Sequence, residues 1–168
     1  DTIDVITNML SDKRLFCREN IAHGYNIWTG EVEDSADYSE IVSGTLWKEA
    51  WDRFIGDSGK FPLPLVLFYD KTHTNVSGSL TAAPVFVTLA FLDLETRKKT
   101  YATFPIGVVP NLKFGLSSDQ KIDPVDSLKD EHACLYAIFK QLIEIESNRG
   151  FNLTVLGRSV VARPWIHL

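Results

Sequence analysis

Phe61-Pro62-Leu63-Pro64-Leu65-Val66-Leu67-Phe68-Tyr69-Asp70 is an almost unbroken apolar run that stops at a carboxylate. It shows no alternation of apolar and polar positions, so it reads as a strand covered on both faces of a sheet. Pro62 and Pro64 lack a backbone donor and restrict the strand to starting near them. The run Pro62 to Tyr69 is far shorter than the roughly 20 residues that cross a bilayer, and no basic-then-apolar leader opens the chain. After Tyr69 the chain turns abruptly polar, Asp70-Lys71-Thr72-His73-Thr74-Asn75. A central strand ending at Asp70 is therefore the expectation from which the rest is read.

Downstream, residues 84–92 form a second apolar segment, 93–98 a polar turn, and Thr100 to Val109 a third segment. Links this short imply an antiparallel meander. Lys113 to Asp123 is polar and reads as loop. Pro124 and Asp126-Ser127 then introduce a long helix with Leu128, Cys134, Leu135, Ile138, Phe139, Leu142, Ile143 and Ile145 on its apolar side. Arg149 falls in its last turn and Gly150 at its C′ position. Phe151 to Val155 and Ser159 to His167 read as extended, split by Gly157. Upstream, Ile3, Ile6, Met9 and Leu10 recur at helical spacing over residues 2–11, and His23 to Tyr38 has no sustained period. Leu46, Trp47, Ala50, Trp51, Phe54 and Ile55 give a second helix closed by Gly56 and Gly59, with Trp47 and Trp51 as core anchors rather than a base-stacking platform. The order β-β-β-α-β predicts an α+β protein with a mixed sheet of ribonuclease H-like type, incomplete at 61–168 and fronted by an acidic helical segment, 1–60.

The composition of the 168 residues, 45% hydrophobic and 23% charged with 10 Gly and 7 Pro, excludes disorder, collagen and coiled coil. The net charge of −5 is uneven: residues 1–60 carry 12 acidic against 6 basic side chains, and 61–168 carry 10 against 11. Phosphate binding favours basic surfaces, so the balance counts against nucleic-acid binding by this stretch alone. Arg97-Lys98-Lys99 reads as a solvated turn. Cys17 and Cys134 are too far apart for a local metal motif and read as structural thiols. The tripeptides beginning at Asn75 and Asn152 are common by chance and carry no weight. No Gly-rich phosphate loop, Ser-His-Asp pattern or Cys-His nucleophile signature is present. Residue 1 is Asp and the chain stops at Leu168 directly after an extended segment, which leads us to expect an excised domain.

Asp70 is the residue to watch, because a carboxylate beside a strand this apolar is costly without a partner. A lone Asp after a strand is more often a turn residue. At this point the residues resemble a family. Leu63 through His73, followed by Ala83-Pro84-Val85-Phe86-Val87-Thr88-Leu89, is similar to the "D-K-T … P-V-(Y/F)-(V/L)-T" block of Plavaka-type, CACTA-like transposases. Tyr38-Ser39-Glu40-Ile41-Val42-Ser43-Gly44-Thr45-Leu46-Trp47 is similar to the "Y-x-(E/D)-I-x-x-G-x-x-W" segment that precedes it there, and Tyr101 to Pro110 fits the family's third strand. The resemblance covers residues 28–168.

The resemblance implies part of a DDE/D catalytic core whose parent cuts and joins DNA at transposon ends in the nucleus. Asp70 would be the first catalytic carboxylate and a ligand for Mg²⁺ or Mn²⁺ in a two-metal mechanism. The other two acids would lie beyond Leu168, so this stretch alone is expected to be inert and to bind metal weakly. Lys71 and Thr72 would contact DNA backbone or brace the Asp70 loop, and His73 would approach a metal or phosphate or remain an exposed loop residue. Asp93 and Glu95 are expected as turn residues, and Glu131, His132, Glu144 and Glu146 as a solvated helix face. A homo-oligomer is compatible with the resemblance. The alternative is a domesticated, non-catalytic module that binds DNA or protein; an unrelated hydrolase-like α+β domain, with no metal at Asp70, ranks below both.

Overall fold

The computed structural model describes residues 2–33, 40–73, 81–110, 124–147 and 150–167. The loop expected at Lys113 to Asp123, Asn75 and Arg149 lie outside them. The elements are α1 (Thr2–Ser11), α2 (Thr45–Ala50), β1 (Phe61–Tyr69), β2 (Thr72–His73), β3 (Thr81–Leu89), α3 (Leu94–Arg97), β4 (Phe104–Val109), α4 (Pro124–Ser147), β5 (Phe151–Val155) and β6 (Arg158–His167). The architecture is mixed α+β, as the sequence leads one to expect.

The strands form one mixed sheet in the order β2-β3-β1-β6-β5, with β4 paired to β3. β1 is central: it runs antiparallel to β3 on one side and parallel to β6 on the other. Phe61 through Leu67 are all buried, which requires cover on both faces. Val85, opposite Tyr69, packs with Ile138 and Phe139 of α4. Trp165, opposite Pro64, meets the ring of Trp47 edge-on at 5.3 Å. Tyr69 and Pro64 are an odd number of residues apart, so these contacts lie on opposite faces of the sheet. A contiguous core then joins Ile6, Met9 and Leu10 of α1 and Trp47 of α2 to Leu63, Leu65, Leu89 and Leu142. Trp47 is 1% exposed and its indole N–H donates to the Gly30 carbonyl at 3.2 Å. It is the anchor expected of it.

Several local features depart from the sequence reading. The second segment leaves the sheet at Leu89. Asp93 then caps α3, accepting from the Thr96 N–H at 2.8 Å, where a plain turn was expected. Thr100–Ala102 is a 3₁₀ turn rather than strand, because Ala102 is buried and its carbonyl accepts the buried Thr88 hydroxyl at 2.7 Å. The second helix is regular only to Ala50 and continues as a wide π turn over Trp51–Ile55. In α4 the packed stripe is narrower than expected. Leu142 and Ile145 are buried, but Leu128 and Ile143 are 53% and 42% exposed. Ile143 follows Leu142 by one residue, a rotation of about 100° that carries it off the packed face.

Two glycines are required by close approach. A Cβ on Gly107 of β4 would lie 2.6 Å from Ile138 Cγ1, so its absence lets α4 sit against the strand. Gly150 has φ +110° and a Cβ there would lie 2.5 Å from the Ala162 carbonyl oxygen. Its N–H donates to the Ile145 carbonyl at 3.0 Å, a 6→1 bond that closes the end of α4 one position later than the C′ expected of this glycine.

Candidate functional site

Asp70 lies at a gap in the hairpin ladder. The residue numbers of every β1–β3 pair from Leu65↔Leu89 to Tyr69↔Val85 sum to 154, as do those of Thr72↔Ala82 and His73↔Thr81. β2 is thus the in-register continuation of β1, and this register sets Asp70 opposite Pro84. Ala90 N–H donates to the Pro64 carbonyl at 2.9 Å, so even-numbered β1 residues occupy the hydrogen-bonded positions of this ladder. Asp70 belongs to that series, but its partner's nitrogen carries no proton. Regular pairing stops there and resumes at Thr72.

The side chains on either side of Asp70 converge on α4. Tyr69 Oη donates to Glu131 Oε1 at 2.6 Å, and Lys71 Nζ donates to Glu131 Oε2 at 2.9 Å. Partial burial, and then the bond to the Glu131 carboxylate, push the Tyr69 phenol up to about 12. The Tyr69 hydroxyl first, and Lys71 second, hold the Glu131 carboxyl below the usual carboxylate range. Asp70 itself is exposed, and among the described residues it has no hydrogen-bond or ion-pair partner. Thr72 is exposed on β2, and His73 pairs through its backbone with Thr81. Asp70 and Lys71 therefore lie between β1 and β2 with Thr72 following, and the Lys71 side chain is tied to Glu131 on α4.

Glu131 is the neighbour that sequence reading assigned to a solvated face. Its side chain is only 19% exposed. A signal for this exists, since Glu131 precedes Cys134, Leu135 and Ile138 by three, four and seven residues and so continues the packed stripe of α4. Arg97 is a second correction. Lys98 and Lys99 of the expected solvated turn are exposed, but Arg97 is not. Its guanidinium pairs with Glu40 at 2.8 Å, the two side chains being 8% and 12% exposed. It also donates to the Ala90 and Leu92 carbonyls, while the other Glu40 oxygen accepts the Leu94 N–H at 2.9 Å. The acidic position of the segment before β1 is thus a structural clamp on the turn after β3.

Among the described residues no group of three or more His, Cys, Asp or Glu side chains is arranged to hold a metal ion. Asp70 is an exposed hard oxygen donor, unpaired among the described residues, and fits a divalent cation as a single ligand. An open cleft of about 1570 Å³ lies elsewhere, lined by Glu19, Glu31, Glu33, Glu40 and Asp93 with the buried Tyr25 phenol. Its carboxylates repel phosphate, and it includes neither Asp70 nor Glu131. No helix among the described residues is long and apolar enough to cross a membrane.

No curated protein and no solved structure matches the chain. The family model described as Plavaka transposase matches residues 1–159, which takes in α1, the Glu40 clamp, the Asp70 strand and α4 alike, and the chain therefore belongs to the Plavaka transposase family.

Proposed function

We propose that this chain is part of a ribonuclease H-like DDE/D transposase core that acts on DNA, and that Asp70 is the first of its metal-binding carboxylates. The observation that carries the reading is the position of Asp70 at the carboxyl end of β1, the central strand, with an antiparallel neighbour on one side and a parallel one on the other. The succession β1, β3, β4, α4, β6 supports it, with β5 added as an antiparallel edge hairpin to β6. Asp70 would hold Mg²⁺ or Mn²⁺ by one oxygen, with further ligands supplied from elsewhere. When bound, such ions supply Lewis-acid activation of the attacking oxygen and stabilisation of the leaving oxygen of a phosphodiester.

The β1–β6 register supports a location for a second acid. Val66 pairs with His167, so the residue beside Asp70 is the fourth after His167, past Leu168. Thr72, two residues on from Asp70 and so on its side of the chain, would meet a DNA backbone there, while Lys71, tied to Glu131, would brace the Asp70 loop; nuclear action on transposon ends, with or without a second copy, belongs to the same proposal. The test is Asp70→Asn in a chain that continues past Leu168 and cleaves DNA. Amide replaces carboxylate with little change in volume, so strand cleavage is expected to vanish while folding and DNA affinity persist. Full cleavage by that variant would refute the assignment of Asp70, and a longer chain that binds DNA without cleaving it would favour a domesticated, non-catalytic binding module.

A further inference from the structure

Asp70 stands between two residues bound to the same carboxylate. Tyr69 occupies one Glu131 oxygen and Lys71 the other. Neighbours in an extended chain point to opposite faces, so Tyr69 and Lys71 turn toward α4 and Asp70 turns away from it. Phe68, on the same side as Asp70, is 48% exposed, which leaves that face open at this end of the sheet. The backbone here lacks one restraint that regular strands have, because Pro84 has no N–H to offer Asp70. The two side-chain bonds to Glu131 therefore add to the ordering of the chain across the gap at Asp70.

Resting on the reading of Asp70 as a cation ligand, we propose that Glu131 is a positioning residue for that site. It holds the Lys71 ammonium on the α4 side of the strand and so keeps the Asp70 carboxylate free for a divalent cation. Lys71 is the adjacent residue, and its Nζ rides on a flexible four-carbon stem. Released from Glu131, it becomes a mobile positive charge within reach of the Asp70 oxygens. It would pair with the carboxylate and repel an approaching divalent ion. At about 5 Å in water such a charge weakens divalent binding by about five-fold once salt screening is included. The low exposure of Glu131 beside the 62% exposure of Lys71 fits this division of labour: the carboxylate is the fixed half of the pair and the ammonium is the half that would move.

The test is a Mn²⁺ titration of the 168-residue chain, read as paramagnetic broadening of the amides of residues 69–72, with a thermal melt of each variant. In the unsubstituted chain, broadening is expected to centre on Asp70 and to disappear in Asp70→Asn. Glu131→Gln, whose amide still accepts from the Tyr69 hydroxyl, is expected to weaken Mn²⁺ binding about five-fold. Adding Lys71→Met to Glu131→Gln is expected to restore the unsubstituted affinity, because the freed charge is gone. Unchanged affinity in Glu131→Gln, with broadening still lost in Asp70→Asn, overturns the positioning role and leaves the Asp70 reading standing. A loss that Lys71→Met fails to restore also overturns it, since Glu131 then acts on the ion or on the fold. Broadening absent from Asp70 at saturating Mn²⁺, or persisting there in Asp70→Asn, overturns the Asp70 reading and the proposal with it.

Discussion

Arg97 is governed by Glu40 and Tyr69 by Glu131, partners remote in sequence. A nearly buried guanidinium is tolerated only because a carboxylate and two carbonyls receive its protons. Glu40→Ala removes the charge partner and is expected to destabilise the fold by about 3 kcal/mol, the low end for a broken buried pair because the carbonyls remain. Chemical denaturation checks this, and Glu40→Leu with Arg97→Met should recover most of the loss. Tyr69 gives a pH prediction with a definite sign. Its phenol is pushed up to about 12 in the folded protein, above its ordinary value of 10. Between those values the unfolded chain loses the proton first, so the Tyr69 contribution is whole below pH 10 and is lost as pH rises toward 12. Tyr69→Phe should flatten that part of the stability profile, and absorbance titration of the phenol should show the late ionisation directly. Glu131 and Arg97 show where sequence reading stops at this scale. A charge on a helix or in a turn reads as solvated unless its distant partner is known, although the helical spacing of Glu131 to Cys134, Leu135 and Ile138 placed it on the packed side.

At the scale of elements, α4 and its exit into β5 depend on backbone conformations that side chains would forbid. Gly150 combines a positive φ with a carbonyl 2.5 Å from where a Cβ would sit. Gly150→Ala is therefore expected to cost on the order of 1–3 kcal/mol from strain alone, more if the β5–β6 hairpin must shift. Thermal melting measures the cost, and an unchanged midpoint would mean the turn has another available geometry. The glycine was legible as a helix stop, because its position after a long periodic segment is a local signal. The 3₁₀ turn at Thr100–Ala102 was not. Its residues are compatible with a strand, and the choice was made by the Thr88 hydroxyl reaching the Ala102 carbonyl from another element. The gap at Asp70 belongs with these. Apolar continuity marked where β1 should end, but the resumption as β2 follows from the hairpin register and from a proline on the facing strand.

For the whole molecule, the front third and the sheet share one core. Trp47 touches Tyr25, Trp51 and Trp165 at ring separations of 6.0, 6.4 and 5.3 Å, so it links the segment before residue 60 to the last strand of the sheet. Trp47→Ala is expected to cost about 3–5 kcal/mol and to lower the protection of Pro64 and Trp165 neighbours in hydrogen exchange as well as its own. Protection lost only around α2 would show the two parts to be energetically separate. The sequence by itself determined the α+β class, the central place of Phe61–Tyr69, the long helix and the family to which the chain belongs. These depend on local apolar periods, on turn chemistry and on a block of residues in fixed spacing, all of which are written along the chain. Tertiary structure alone decided that Glu131 answers to Tyr69 and Lys71, that Glu40 closes on Arg97, and that Asp70 stands opposite Pro84. Those depend on which elements lie beside which and in what register, and a one-residue slip of β1 would turn Tyr69 and Asp70 to the opposite faces of the sheet.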